Sequence, residues 1–303
     1  MHGSTFRHDV YSTRTATQWR ALQRLMVALP RGRGRVARFL AGKLRKPFVA
    51  RVPPFELDVL LTIDPSDAFQ LEIWLGAYQP HVISFLTQSV RQDDVVLCAG
   101  LHVGYTVAIA RRLAGPGGLV LSAEPDPAAL GQGRKNLSLA DPERDAPVKV
   151  LEGGLSDADD TLELHQSAVL GHSSFASPHH ELRVTQASLR RGDAWLTELG
   201  VDHIDVMVLD VEGWELRVLR GLEHTLRRSP RLAAIVELSR WALADARTSP
   251  AAVVKFLRDQ GIQVRWASMR SPTMPFGVWG DLVDSGDEGV ANDILCLGVQ
   301  ARV

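Results

Sequence analysis

The chain has 303 residues, of which 45% are hydrophobic, enough to bury a substantial core in one large α/β domain. No apolar run reaches the ~18–20 residues that a bilayer-spanning helix needs, and the N-terminal residues show no apolar h-region with a cleavage site, which argues against a secretory signal. The two cysteines, Cys98 and Cys296, have no metal-ligand spacing, so we expect a reduced, cytoplasmic protein.

The net charge of −1 hides an asymmetry along the chain. Residues 1–51 contain twelve Lys or Arg and one acid, so this segment carries +11 and the remainder −12. Apolar residues recur there at helical spacing, which predicts a basic helical arm over residues 1–52, followed by a larger domain over 53–303. Two interpretations stay open: packing on the larger domain, or docking to an anionic surface. No nucleic-acid motif accompanies the basic run, so nucleic acid is not an expected partner.

From residue 57 onward, segments typical of strands alternate with segments typical of helices. This alternation predicts a mostly parallel, twisted sheet with helices on both faces. The predicted strands are residues 57–63, 95–98, 119–123, 148–152, 205–209, 232–237, 264–267 and 294–299. The predicted helices are residues 67–75, 80–89, 105–113, 127–140, 212–227 and 250–260. Residues 158–192 read as a small excursion, a β-hairpin.

The stretch from residue 94 to 126 has the pattern of a cofactor-binding β-α-β unit. A strand leads into a turn with Gly100 and Gly104, and a second strand ends on Glu124, twenty residues after Gly104. A carboxylate at that position can accept hydrogen bonds from both hydroxyls of a ribose, which predicts an adenosine cofactor. The nicotinamide fingerprint G-x-G-x-x-G lacks its middle glycine here. The looser G-x-x-x-G turn suits a cofactor without a pyrophosphate, such as S-adenosylmethionine, and disfavours a dehydrogenase.

Four stretches resemble the FkbM family of methyltransferases. They are Asp67–Gln70 with Ile73–Pro80, the glycine turn, Glu124–Pro127 with Asn136 and Leu137, and Ile204–Gly213 with Glu215, Leu216 and Val218–Gly221. A weaker fifth piece is Asn292–Leu297. The resemblance covers roughly residues 60 to 298, and the Asp-x-Glu-Gly stretch is its most specific part.

The resemblance implies a Rossmann-like class I methyltransferase fold, S-adenosylmethionine as cofactor, and methyl transfer to hydroxyls of polyketides, sugars and other natural products. Glu124 would bind the ribose, and Ser156 or Asp157 the adenine edge. The residues expected at the cofactor are Cys98, Gly100, His102, Gly104, Tyr105, Glu124, Ser156, Asp157 and Asp210. The expected partner is a small molecule whose hydroxyl accepts the methyl group. A homodimer is also considered.

Methyl transfer to an alcohol requires alignment and a base that takes the hydroxyl proton. The candidate catalytic residues are Asp210, Glu212, Glu237 and His172. Together the three carboxylates could also hold a divalent cation, although no metal site is assigned. The structural alternatives are that Asp210 is a helix N-cap, Glu212 complements a helix dipole and His172 is a solvated loop residue.

Two departures from the family pattern support an alternative function. Cys98 replaces the acid that usually begins the glycine turn, and Gln79 stands where the family often has Glu before Pro80. Both changes remove negative charge near the cofactor's amino end. A non-catalytic member that uses the fold for binding or assembly is therefore the alternative to an O-methyltransferase.

Overall fold

The structure is a computed structural model of the chain, and it describes residues 23, 35, 36, 39, 46–167, 173–176, 181–266 and 293–301. Contacts divide the chain into two compact units, Met1–Pro80 and His81–Val303. Most of the predicted basic arm lies outside the described residues, so its helices and the division at residue 52 stay predictions.

The first unit contains a two-stranded antiparallel sheet and a helix. Strand β1 (Phe48–Val52) pairs with β2 (Val59–Ile63), and helix α1 (Ala68–Trp74) follows. Asp67 caps α1 by accepting hydrogen bonds from the backbone amides of its first turn. The last five residues of the predicted arm, Phe48–Val52, form a strand that pairs along its whole length with β2.

The second unit alternates strands and helices. Its helices are α2 (Pro80–Ser89), α3 (Tyr105–Ala114), α4 (Pro127–Leu137), α5 (Gly192–Glu198), α6 (Glu215–Gly221), α7 (Glu223–Arg227), α8 (Arg240–Asp245) and α9 (Pro250–Asp259). Helix α2 begins at Pro80, the last residue of the first unit. Its strands are β3 (Val95–Ala99), β4 (Leu119–Glu124), β5 (Val148–Glu152), β6 (Gly154–Ser156), β7 (Asp160–Ser167), β8 (Glu181–Arg191), β9 (Val206–Leu209), β10 (Ala233–Glu237), β11 (Gln263–Trp266) and β12 (Asp293–Leu297). Within the described residues, no helix has the length and hydropathy needed to cross a membrane.

Seven strands form the central sheet in the order β11-β12-β10-β9-β3-β4-β5. Strands β5, β4, β3, β9 and β10 run parallel, and β12 is antiparallel to both of its neighbours. The predicted Rossmann-like fold is confirmed. Strand β3 lies between β4 and β9. The chain adds β4 and then β5 on one side of β3, and it later adds β9 and then β10 on the other side. The order of the strands therefore reverses direction at β3. Ligands bind α/β sheets at the carboxyl ends of strands around such a point.

Both faces of the sheet are buried. Leu97 and Ala99 of β3 belong to a core cluster with apolar residues of α5, α6, α7 and α9. Val96 and Cys98 point to the opposite face, because side chains alternate along a strand, and they are equally buried. Helix α3 packs against β3 and β4 but contributes no residue to the first cluster. The strands are therefore covered by helices on both sides, which explains their nearly continuous apolar sequences.

The predicted helix 212–227 is wrong in its start and its continuity. Glu212 and Gly213 have φ values of 50° and 97°, in the left-handed region that a right-handed helix excludes. Helix α6 therefore begins only at Glu215, and Leu222 separates it from α7. Trp214 occupies the N-cap position without a side-chain cap bond, so the alternatives of Asp210 as N-cap and Glu212 in the first helical turn are also wrong.

The predicted excursion between β5 and β9 is a separate three-stranded sheet. Strands β7 and β8 form an antiparallel pair, as predicted for a hairpin, and β6 runs parallel to β8. Residues 173–176 are described between β7 and β8, and Ser174 forms a β-bridge with His165. This small sheet begins where β5 ends, beside the carboxyl edge of the main sheet.

Candidate active site

The glycine turn lies where three central strands end. The Gly100 amide donates to the carbonyl oxygen of Ala123, next to Glu124, and the Asp210 amide donates to the carbonyl oxygen of Ala99. Gly100 has φ 93°, and a Cβ at this position would overlap the backbone carbonyl oxygen of Asp210. Close packing of strand ends thus requires glycine here.

Replacing Gly100 with alanine is expected to destabilise the protein by about 2–4 kcal/mol, because the new Cβ adds left-handed strain and a backbone overlap. The matched control is Gly131→Ala, in helix α4, where a Cβ would meet no atom within 4 Å. That variant is expected to be neutral or slightly more stable. Urea denaturation measures both; equal stabilities of the two variants would contradict this account of the turn.

Gly104 ends the turn and is the N-cap residue of α3. Its φ of 81° and its carbonyl oxygen, which accepts from the Ala108 amide, mark the N-terminus of the helix. Tyr105, predicted at the cofactor, is buried as the first residue of α3, and burial raises the pKa of its phenol. Its hydroxyl therefore stays protonated across the physiological pH range.

Glu124, at the end of β4, is held by two backbone amides. Its Oε2 accepts from the His102 amide at 2.9 Å, and its Oε1 accepts from the Asp126 amide at 3.0 Å. The side chain is 7% exposed, and burial raises its pKa to about 7 against the lowering effect of these hydrogen bonds. Each carboxylate oxygen can accept a second hydrogen bond. Glu124 therefore keeps acceptor capacity beyond its backbone hydrogen bonds.

His102 takes part in this arrangement through its backbone. Its φ of 49° lies in the left-handed region and directs its amide at Glu124. His102 therefore shapes the turn through its backbone, and its expected contact with the cofactor stays a prediction.

Cys98 lies two residues before Gly100 and is fully buried. Burial raises the pKa of its thiol to about 12, so a thiolate does not form at neutral pH. A neutral thiol cannot replace the charge of the carboxylate usual at this position.

Ser156 and Asp157 form a polar group with α6. The indole nitrogen of Trp214 donates to the Ser156 hydroxyl at 3.2 Å, and the Arg217 guanidinium binds Asp157 at 3.2 Å. Arg217 also lies over the Trp214 ring, and Phe175 packs on that ring with centroids 5.3 Å apart. The predicted adenine contacts thus sit beside an aromatic pair.

Asp210, Glu212 and Glu237 come together as the sequence predicted. Each offers a carboxylate oxygen, and these oxygens lie within 4.8 Å of one another. Burial raises the pKa of Glu212 to about 8, with further contributions from the charges of Asp210 and Glu215. A trio of this geometry can accept a proton from a hydroxyl or bind a cation through oxygen ligands.

Glu215 supports the turn that carries Glu212. Its Oε1 accepts from the amides of Val211 and Gly213 at 3.2 and 3.1 Å. Its Oε2 is buried and accepts no hydrogen bond from the described residues, and burial raises the pKa of Glu215 to about 7. The side chain thereby holds together the loop that joins β9 to α6.

Comparison with known sequences decides the family. The profile of the methyltransferase FkbM domain matches residues 98–264, more than half of the chain. The chain belongs to the FkbM methyltransferase family. The predicted family is therefore confirmed, and the matched region contains the glycine turn, Glu124 and the three site carboxylates.

A curated relative is the 2-O-methyltransferase NoeI of Sinorhizobium fredii. It is 28% identical over 155 residues, which span 46% of this FkbM chain and 61% of the length of NoeI. Among solved structures, a SAM-dependent O-methyltransferase from Thermotoga maritima aligns with TM-score 0.41 and 17% identity, over 75% of this chain and 67% of that one. An O-methyltransferase from Bacillus cereus in complex with SAH aligns with TM-score 0.39 and 13% identity, over 93% and 99%.

Several residues of the FkbM site were not assigned roles from sequence. Asp126 precedes a proline at the first position of α4 and caps that helix, a pattern visible in sequence. Glu215, in the first helical turn, could have been recognised as a partner for upstream amides. Ser173 and Ser174 gave no signal, since their contacts lie far away along the chain. His172 lies outside the described residues, so its predicted catalytic role stays a prediction.

Proposed function

We propose that the chain is an S-adenosylmethionine-dependent O-methyltransferase that acts on a hydroxyl of a small natural product or a sugar-containing metabolite. The observation that carries this proposal is the shared strand edge. There, Glu124 keeps acceptor capacity for a ribose at the end of β4, and Asp210, Glu212 and Glu237 converge at the ends of β9 and β10. Family membership and the match to NoeI support the same chemistry.

The residues of the site fit the ribose of S-adenosylmethionine better than they fit its ammonium group. Glu124 accepts backbone hydrogen bonds on both of its oxygens and suits the ribose hydroxyls. Cys98 offers no charge to an ammonium group. Bound S-adenosylmethionine would supply an activated methyl group, so the protein's task is to align the acceptor and take its proton.

Glu212 is the proposed base. Its pKa of about 8, raised by burial and by neighbouring carboxylates, lies near physiological pH, where a carboxylate becomes an effective proton acceptor. Asp210 and Glu237 would orient the acceptor hydroxyl at the strand ends. A divalent cation held by the same three oxygens is a second candidate role, carried by their separation of at most 4.8 Å.

The test is a screen of hydroxylated acceptors with methyl-labelled S-adenosylmethionine. Transfer should be lost in Glu212→Gln and retained in Glu163→Gln, which changes an exposed carboxylate on β7. Activity that rises through pH 8 and survives EDTA supports the base; loss in EDTA with recovery in Mg²⁺ supports the cation. Transfer by Glu212→Gln at the wild-type rate would refute both roles.

The alternative of a non-catalytic member makes a distinct prediction at Cys98. If this thiol merely weakens an intact cofactor site, Cys98→Asp should tighten S-adenosylmethionine binding about 10- to 100-fold, since a charged partner contributes about 1.5–3 kcal/mol. The buried carboxylate should also lower the melting temperature of the free protein. Unchanged or lost binding, measured by calorimetry, would show that the turn holds its ligand differently.

Cytoplasmic location and a homodimer stay predictions, as does the identity of the acceptor.

A further inference from the structure

A four-residue segment of the small sheet contacts both halves of the site. Ser173–Ala176 lies between β7 and β8, and its first two residues are adjacent serines with different partners. Ser173 bonds to Asp126, beyond the end of β4, and Ser174 bonds to Glu212, beyond the end of β9. Neighbouring side chains thus connect the ribose side of the site to the carboxylate side.

Ser173 acts on the ribose side. Its hydroxyl donates to Asp126 Oδ2 at 2.5 Å, and Gln166 donates to Asp126 Oδ1 at 2.9 Å. Asp126 is buried, and its own backbone amide donates to Glu124 Oε1. Ser173 therefore fixes the residue whose amide holds one oxygen of Glu124.

Ser174 acts on the carboxylate side. Its hydroxyl donates to the carbonyl oxygen of Glu212 at 2.8 Å and accepts from the Ala176 amide at 3.1 Å, so both roles of the hydroxyl are satisfied. Its backbone exchanges two hydrogen bonds with His165, at 2.9 and 3.1 Å. A buried, doubly anchored hydroxyl thus holds the carbonyl of Glu212.

This anchor matters because the backbone of Glu212 is strained. A non-glycine residue at φ 50° persists where its surroundings hold it. Glu215 binds the amides on either side of Glu212, and Ser174 binds its carbonyl oxygen. Together they direct the Glu212 side chain toward Asp210 and Glu237.

We propose that Ser173 and Ser174 are positioning residues with separate tasks. Ser173 acts through Asp126 to position the carboxylate of Glu124, which binds the ribose. Ser174 positions the carboxylate of Glu212 on the acceptor side. This inference rests on the proposed function, which makes Glu124 the ribose side of the site and Glu212 the acceptor side. Neither serine touches reacting atoms; each acts through another residue.

The test uses the full chain and two measurements that need no acceptor. Calorimetry with S-adenosylhomocysteine reports the ribose side. Hydrogen-exchange NMR reports the carboxylate side through the amides of Val211 and Gly213, which Glu215 binds on either side of Glu212. These amides exchange faster when the backbone of Glu212 is no longer held in its strained conformation.

Ser173→Ala is expected to weaken S-adenosylhomocysteine binding about ten-fold and to leave hydrogen exchange at Val211 and Gly213 unchanged. Ser174→Ala is expected to leave binding within about two-fold and to speed exchange of these two amides about ten-fold. Ser174→Thr, which keeps the hydroxyl, is expected to restore the wild-type exchange.

Equal effects of both serine variants on both measurements would overturn the proposal, because a general loss of structure would then explain them. Unchanged exchange at Val211 and Gly213 in Ser174→Ala would overturn the acceptor half. If the wild-type protein binds no S-adenosylhomocysteine, the proposed function and the Ser173 half both fail, while amide exchange still decides the Ser174 half.

Discussion

Replacing Glu124 with alanine is expected to weaken S-adenosylmethionine binding at least about 100-fold, because two hydrogen bonds to a charged group contribute about 1.5–3 kcal/mol each. The variant also leaves the amides of His102 and Asp126 without their carboxylate acceptor. Glu124→Gln keeps one acceptor oxygen and should show an intermediate loss. Calorimetry at pH 8 measures all three affinities.

A matched control lies on the adjacent strand. Glu152 ends β5 in register with Glu124, but its side chain is 60% exposed and pairs with Arg134. Glu152→Ala should bind the cofactor within two-fold of wild type. Affinity should also fall below pH 7, since Glu124 accepts two hydroxyls only when ionised and its pKa is raised to about 7. Wild-type affinity in Glu124→Ala would remove Glu124 from the cofactor site.

Conformational stability is expected to fall as pH rises from 5 to 8.5. Burial raises the pKa of Glu124 and Glu215 to about 7 and that of Glu212 to about 8, from 4.5. Between those values the folded protein holds protons that the unfolded chain has released, so stability present at pH 5 is lost through pH 8. The slope has the opposite sign to that of a carboxylate stabilised by an ion pair.

In Glu212→Gln, the free energy of unfolding should fall by roughly 2–4 kcal/mol less between pH 5 and 8.5 than in the wild type. Each pKa unit corresponds to about 1.4 kcal/mol, and partial exposure of the side chain reduces the effect. Urea denaturation at pH 5, 7 and 8.5 in the presence of chelator measures the change. Glu163→Gln, at an exposed position, should keep the wild-type slope. A wild-type slope in Glu212→Gln would show that this carboxyl titrates normally.

The central sheet could be predicted because its strands carry their own signal. Runs such as Val95–Ala99 and Val206–Leu209 are apolar throughout, as strands covered on both faces must be. The glycine turn and the carboxylate at the end of β4 could also be predicted, because they depend on the local geometry of one β-α-β unit. Asp210, Glu212 and Glu237 could be grouped because parallel strands end at one edge.

The start of α6 could not be predicted from local pattern. Glu212 and Gly213 read as helical residues, but Gly213 packs so closely on the backbone of Ala242 that a Cβ would overlap it. That contact is tertiary, and it overrides helical propensity. The same reasoning applies to Ser173 and Ser174, whose partners lie 47 and 38 residues away in the chain.

The most direct test of the central claim is a calorimetric titration of the purified protein with S-adenosylmethionine and S-adenosylhomocysteine, with NADH as the control. The arrangement of Gly100, Glu124 and the three carboxylates predicts micromolar binding of both sulfur compounds and none of NADH. Absence of binding to both would contradict the methyltransferase assignment and favour a non-catalytic protein, with the buried thiol of Cys98 as the first residue to examine.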